Sequence, residues 1–600
     1  MTKNEERLPS PKELEKELSN YLSHKYGDRI KIISPMIVPQ QVSFEEGDAE
    51  KEKPKGRKKI NFSIKPEELE AFLDQYIVRQ SAAKAVLATK ICTHFNRIRY
   101  ANQHTEDRDT IVGSIKNNIL LIGPTGVGKT YIVKLIANKI GVPFVKCDAT
   151  KFSETGYVGG DIEDIIRDLV REANEDIELA ECGIVYLDEI DKIASSPNLI
   201  GPDVSRTGVQ RALLKPMEET EVDLRTPHDP ISMLQEIEHY RKTGKREKRI
   251  VNTKNILFIM SGAFNDLTEI IKKRTVDQGI GFGSTLANKD QTTDFLKHVK
   301  SEDMIKFGFE SEFIGRTPVI TIMERLSVND LYEILRNPSN CVILNKKRDF
   351  IAYGIHLKFS DKALRLFAEK GYAEQTGARG LVSAIESVIL PFEKKLPSTD
   401  IKRLAITEQA VESAERILQA LLSNPSDEQW FKAFNEIETE EQVAVKEYII
   451  KNKTNITEFH GLTLSMPQTE LIAHIYTLHT MDVTGIIEQV KSVYTQLTQL
   501  EEYFLKSSGI RITLDEPARA YAAKSVVESK QTFSDIFKSL KQNFEYGLRL
   551  IQDKIGESAF VIPRKGLENP EQFLNELIKK HYGDQIAEDF TNRLNNKSGV

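Results

Sequence analysis

The spacing of apolar residues changes along the chain, and each change marks an element. Four consecutive apolar residues, Ile119–Ile122, predict a buried strand, because a short apolar run bounded by turn residues suits the interior of a parallel sheet. A three- and four-residue spacing over 131–140 predicts a helix close behind it. Apolar runs at 143–148, 183–188 and 255–260 predict further strands, with helical stretches between them. Strands alternating with helices imply a parallel α/β sheet covered on both faces. Upstream, Pro66 opens a helix and 82–100 reads as a long amphipathic one. Residues 195–207 read as a polar loop and 208–219 as a helix. Beyond 410 the pattern becomes almost wholly helical, over 411–423, 427–451, 469–506 with breaks, 518–530 and 533–554.

The first strand runs straight into Gly123-Pro124-Thr125-Gly126-Val127-Gly128-Lys129-Thr130. Strand, glycine loop and helix are the context a phosphate-binding loop requires. Its backbone N–H groups and the helix N-terminus would cradle phosphates, Lys129 would reach the β- and γ-phosphates, and Thr130 would hold Mg²⁺. The 183–188 strand ends in Asp188 and Glu189. In isolation two adjacent acids could simply close a strand. Beside a phosphate-binding loop they supply what is missing, Asp188 for Mg²⁺ and Glu189 to polarise the attacking water. Two arginines extend the pattern, Arg316 in Gly315-Arg316-Thr317-Pro318 and Arg379 in Gly377-Ala378-Arg379-Gly380. Guanidinium groups neutralise charge developing on a γ-phosphate, although alone each would read as a surface or helix-capping residue. Tyr157 and Val158 stand between glycines on a predicted loop tip, where an aromatic could equally fold back on the core.

Composition narrows the setting. A chain of 600 residues with 40% hydrophobic content supports several packed domains. A net charge of −6 gives no global reason to expect nucleic acid. The local cluster Arg241, Lys242, Lys245, Arg246, Lys248 and Arg249 lies among acids and reads as a solvated insertion, with nucleic acid or substrate contact as the alternative. The polar, acidic start differs from a secretory signal, and no apolar run is long enough to span a membrane, so a cytoplasmic protein without membrane partners is expected. Cys92, Cys147, Cys182 and Cys341 are scattered and form no C-x-x-C pair, so neither zinc nor a disulfide framework is expected.

With those residues in place, the stretch from about 66 to about 407 resembles the ClpX-type AAA+ protein unfoldases of the Clp/Hsp100 family. The resemblance implies an α/β AAA+ P-loop NTPase large domain at 61–325 and a small α-rich lid domain at 326–410. They would be preceded by an N-terminal segment and charged linker at 1–60 and followed by a mainly helical extension at 411–600. It further implies that Ile77 and Val78 pack around adenine, that Tyr157 and Val158 form a substrate-gripping pore loop, and that Ser261 lies in the sensor-one region. Arg316 would be the finger that reaches a neighbour's nucleotide and Arg379 the second sensor arginine. Ile280, Gly281 and Phe282 match the loop by which such unfoldases dock on a ClpP-type peptidase. ATP with Mg²⁺, a hexameric ring, protein substrates and a ClpP-type partner follow as expectations.

Some features depart from the family. No cysteine precedes Cys92, so the family's N-terminal zinc domain is expected to be missing; Arg79 and Gly160 replace a glycine and an acid; and 225–250 is long. In the extension, Gly354-Ile-His-Leu-Lys-Phe-Ser-Asp361 resembles Gly509-Ile-Arg-Ile-Thr-Leu-Asp-Glu516, which suggests a degenerate second small domain at about 505–600 without a counterpart of Arg379. The lone Trp430 is expected to anchor a core. Three other readings stay open. The first is a stand-alone remodelling chaperone without a peptidase. The second is a nucleic-acid-remodelling ATPase, against which the tyrosine between glycines counts, since phosphate tracking calls for Lys and Arg. The third is a nucleotide-gated adaptor built on 411–600.

Overall fold

The structure is a computed structural model that describes residues 63–103, 116–152, 162–195, 204–224, 250–277, 295–461, 464–529, 533–555 and 558–582. The expected N-terminal segment 1–60, the pore-loop residues Tyr157 and Val158, the basic insertion and Ile280-Gly281-Phe282 all lie outside the described residues.

The centre is a five-stranded, all-parallel sheet. Its strands are β1 (Ile119–Ile122), β2 (Phe144–Asp148), β3 (Ile184–Asp188), β6 (Leu257–Gly262) and β7 (Val319–Ile322), in the order β2-β3-β6-β1-β7. Between β3 and β6, β4 (Glu221–Asp223) and β5 (Ile250–Asn252) form a separate antiparallel pair. Alternation along the central strands sends side chains to two cores. Ile119, Leu121, Ile184 and Tyr186 pack with helices Ser81–Gln103 and Lys129–Ile140. Leu120, Ile122, Val185 and Leu187 pack on the other face with helices Ile162–Glu172 and Val204–Met217. Burial on both faces explains why these strands read as unbroken apolar runs.

Two of the boundaries that differ from the sequence expectation lie close to the central sheet. The Val204–Met217 helix begins inside the stretch read as a polar loop, because Val209, Leu213, Leu214 and Met217 make an apolar stripe that tolerates a polar first turn. Strand β6 runs to Gly262, which places Ser261 within the sheet.

Beyond β7 come helices Val328–Arg336 and Cys341–Ile351 and strand β8 (His356–Phe359). Helices Asp361–Ala373 and Ala378–Lys395, strand β9 (Arg403–Ile406) parallel to β8, and helices Glu408–Glu412 and Ala414–Ser423 complete this unit. After the connecting helices Glu428–Lys451 and Lys453–His460, the same order recurs. It comprises helices Met466–Leu478 and Val483–Ser508, β10 (Arg511–Leu514), helices Glu516–Ser529 and Phe533–Ile555, β11 (Ala559–Ile562) parallel to β10, and helices Arg564–Glu568 and Pro570–Tyr582. Local chemistry repeats with it. Ser327 and Ser465 each open the first helix with a capping box, and Asn340 and Asp482 each precede the second. Gly354 and Gly509 take φ of 73° and 74° just ahead of β8 and β10. The likeness read at 509–516 therefore sits in the middle of a longer unit that begins near 466.

The long helix Glu428–Lys451 joins the two units. Its Glu441 pairs with Lys347 and with Lys358 at 2.6 Å, and Lys358 also donates to the Thr477 carbonyl at 2.8 Å. Trp430 is half-buried at the edge of the larger core, with Nε1 donating to the Asn424 carbonyl.

Candidate functional site

The C-terminal ends of β1 and β3 open into a cleft of about 480 Å³ between the sheet and the first small unit. Open α/β sheets place ligand sites at such strand ends. The loop Gly123–Thr130 forms one wall, and every one of its residues from Thr125 to Thr130 lines the cleft. Gly126 and Gly128 take φ of 79° and 94°, a left-handed turn that glycine makes without steric cost, and Lys129 starts the helix Lys129–Ile140. The Lys129 ammonium donates to the Gly123 and Pro124 carbonyls at 2.5 and 2.9 Å. Burial lowers its pKa, opposed by the carboxylates of Asp188 and Asp191.

Asp188 is held from several sides. Ser261 Oγ donates to Oδ1 at 2.6 Å, Lys146 Nζ pairs with Oδ2 at 2.8 Å, and the Glu189 N–H donates to Oδ1 at 3.1 Å. Burial opposes its ionisation, but the Lys146 and Ser261 contacts outweigh burial and hold the carboxyl below its ordinary pKa. Thr130 Oγ1 stands 3.5 Å from Asp188 Oδ2. A hydroxyl and an ionised carboxylate converging beside a phosphate-binding loop are hard oxygen donors, the set that fits Mg²⁺. Tyr186, fully buried, donates to Ser261 Oγ at 2.7 Å and so fixes the serine that fixes Asp188. Glu189 is exposed at the cleft with φ 57° and ψ 33°, a left-handed conformation costly for a non-glycine residue.

The first small unit closes the cleft from above. The Ala378 N–H donates to the Gly126 carbonyl at 2.8 Å, and a Cβ on Gly126 would fall 2.0 Å from the Thr376 carbonyl oxygen. This backbone-to-backbone approach needs glycine at Gly126, and Gly377 supplies the matching turn with φ 63°. Arg379, one residue into its helix, then lines the cleft with Ile77 and Val78. Arg316 is not among the lining residues. Its carbonyl accepts from Asn118, just before β1 and so at the opposite end of that strand from the loop, and its guanidinium pairs with Glu218 at 2.6 Å.

Several lining residues were not singled out from sequence: Tyr76, Tyr131, Asp191, Asn265, Asn340 and Cys341. Tyr76 adjoins the Ile77-Val78 pair and could have been inferred from it. Lys146 could have been found by strand alternation, since it points the same way as Asp148 at the end of β2. Nothing in the sequence marks Asn340 or Cys341, which arrive through the turn between two helices.

Comparison with known proteins gives two family matches. Residues 115–320 match the AAA domain (Cdc48 subfamily), and 326–397 match the C-terminal, D2-small domain of ClpB protein. Among curated proteins, the ATP-dependent Clp protease ATP-binding subunits ClpX of Borrelia duttonii (strain Ly) and Borrelia recurrentis (strain A1) are similar to this chain. Each is 37% identical over 391 residues, which is 65% of this chain and 88% of the relative.

Proposed function

The chain belongs to the ClpX-type AAA+ ATPases, and from that membership we propose that it is an ATP-driven unfoldase that threads polypeptide through a ring pore and delivers it to a ClpP-type peptidase. The observation that carries the reading is the cleft itself, where Gly123–Thr130, Asp188, Glu189 and Arg379 meet between the sheet and the first small unit. In this reading the loop N–H groups and Lys129 bind the phosphates, and Ile77 and Val78 hold adenine. Thr130 and Asp188 hold Mg²⁺, which when bound offsets charge on the transferring phosphoryl group. Glu189 accepts a proton from the attacking water, and Arg379 reports the state of the γ-phosphate to the small unit. Arg316 stands outside its own cleft, which suits action on the nucleotide of an adjacent subunit in a hexameric ring. Tyr157 and Val158 grip the substrate, and Ile280, Gly281 and Phe282 dock the peptidase, with Ile280 and Phe282 as two apolar anchors set among glycines in the sequence. The setting proposed is the cytoplasm, with protein substrates and no nucleic acid or membrane partner; among the described residues no helix is long and apolar enough to cross a membrane. The domain limits proposed are 61–325 and 326–410.

Deleting residues 280–282 tests the peptidase arm. Degradation of a folded substrate in the presence of ClpP is expected to stop, with ATP turnover kept. Undiminished degradation would favour the stand-alone remodelling chaperone.

A further inference from the structure

The C-terminal unit 466–582 touches the large domain at one informative place. Tyr76 Oη and Thr484 Oγ1 share a hydrogen bond of 2.8 Å. Tyr76 lines the cleft beside Ile77 and Val78, whereas Thr484 belongs to the first turn of helix Val483–Ser508 in the C-terminal unit. The internal repeat gives this contact meaning. In the first small unit, the N-cap and first turn of the second helix place Asn340, Cys341 and Val342 on the cleft. In the C-terminal unit, the corresponding turn holds Asp482, Val483 and Thr484. One turn meets the cleft directly, and its counterpart meets the cleft's tyrosine from behind.

The same turn is tied on its other side. Arg348 Nε of the first small unit donates to the Thr480 carbonyl at 2.9 Å, and the Glu441 pairings fix the connecting helix to Lys347 and Lys358. Tyr448 Oη, on that connecting helix, donates to the Gln75 carbonyl at 3.4 Å, one residue before Tyr76. The C-terminal unit thus bears on the adenine end of the cleft through a braced turn.

We propose that Thr484 is a positioning residue for ATP binding, acting through Tyr76, so that the C-terminal unit sets the nucleotide affinity of its own chain. This rests on reading the cleft as the ATP site. Tyr76 held by Thr484 presents its ring already ordered; released, it must be ordered when nucleotide binds, and immobilising such a side chain costs affinity. The contact adds nothing at the γ-phosphate end, where Glu189 stands. Loss of the hydroxyl should therefore raise KM and spare kcat.

The test uses the full chain with Thr484→Val, Tyr76→Phe, the double variant and Thr484→Ser, each checked for an unchanged melting profile. KM for ATP and the Kd of a fluorescent ATP analogue are expected to rise about three- to ten-fold in each of the first two. The double variant should be no worse than either single one, and Thr484→Ser should restore the parent values. An unchanged KM in Thr484→Val overturns the inference. So do additive effects in the double variant, or a fall in kcat that matches the rise in KM. Lys129→Ala separates the two levels: if it abolishes analogue binding while Thr484→Val binds normally, the positioning role alone fails. If Lys129→Ala still binds the analogue, the cleft is not the ATP site and the inference falls with it.

Discussion

Asp188 shows how much of the site depends on single residues that no motif marks. Its own place at a strand end was legible, because an apolar run that stops in two acids downstream of a phosphate-binding loop has one natural use. The groups that keep it ionised were not. Lys146 comes from a neighbouring strand and Ser261 from the far end of another, so their convergence is a product of register. His94 is a second example with a measurable consequence. Its Nε2 donates to the Asn255 carbonyl at 2.9 Å, and burial lowers its pKa from 6.5 to about 4. A base whose folded pKa is depressed binds fewer protons folded than unfolded between those values, so stability declines as pH falls from 6.5 towards 4. The loss attributable to His94 is at most about 3 kcal/mol. Urea unfolding of the parent and of His94→Gln between pH 4 and 7 should show it. The parent is expected to lose more stability on acidification than the variant, whose amide can still donate to Asn255. Parallel pH profiles would remove His94 from the balance.

Among the elements, the central strands and the P-loop helix were legible because their apolar runs are short, strong and bounded by glycine, proline or acids. Less legible was the full extent of the C-terminal unit. The strand–turn–helix at 509–516 keeps a visible likeness to 354–361, but helices Met466–Leu478 and Val483–Ser508 share with their counterparts chiefly a cap and a turn. Only the repeated parallel pairing of β10 with β11 makes the unit whole. The joint between units was equally hidden, since Lys347, Lys358 and Glu441 are far apart in sequence. Glu441 lies between two lysines that are nearly inaccessible, and removing it leaves Lys347 without its carboxylate and Lys358 with only Glu438 at 3.9 Å. Glu441→Ala is expected to destabilise this region by about 3–5 kcal/mol, read as an early transition in thermal unfolding. A variant that melts with the parent would mean the pairs contribute no net stability.

At the scale of the whole molecule, the cleft sits where relative motion of two units would change it most. Arg379 enters from the small unit and the loop from the large one, their backbones meeting at Gly126 and Gly377, while an apolar core and the Arg79–Asp330 and Asn337–Gln75 contacts join the two units elsewhere. The C-terminal unit reaches a residue of the cleft wall, Tyr76, through Thr484. In the function proposed above, ATP turnover opens and closes the gap between the units, and a ring of such chains converts that movement into pulling on a polypeptide. The measurement that bears most directly on this is ATP-driven unfolding of fluorescent proteins carrying a panel of unstructured tails, comparing the parent with Glu189→Gln. With ATP, and not with ADP, the parent is expected to extinguish the fluorescence of tailed reporters. Glu189→Gln should bind ATP, hydrolyse it about a hundredfold more slowly or worse, and leave the reporters folded. A Glu189→Gln chain that hydrolyses ATP and unfolds reporters at the parental rate, or a parent that turns over ATP and unfolds none of them, would contradict it.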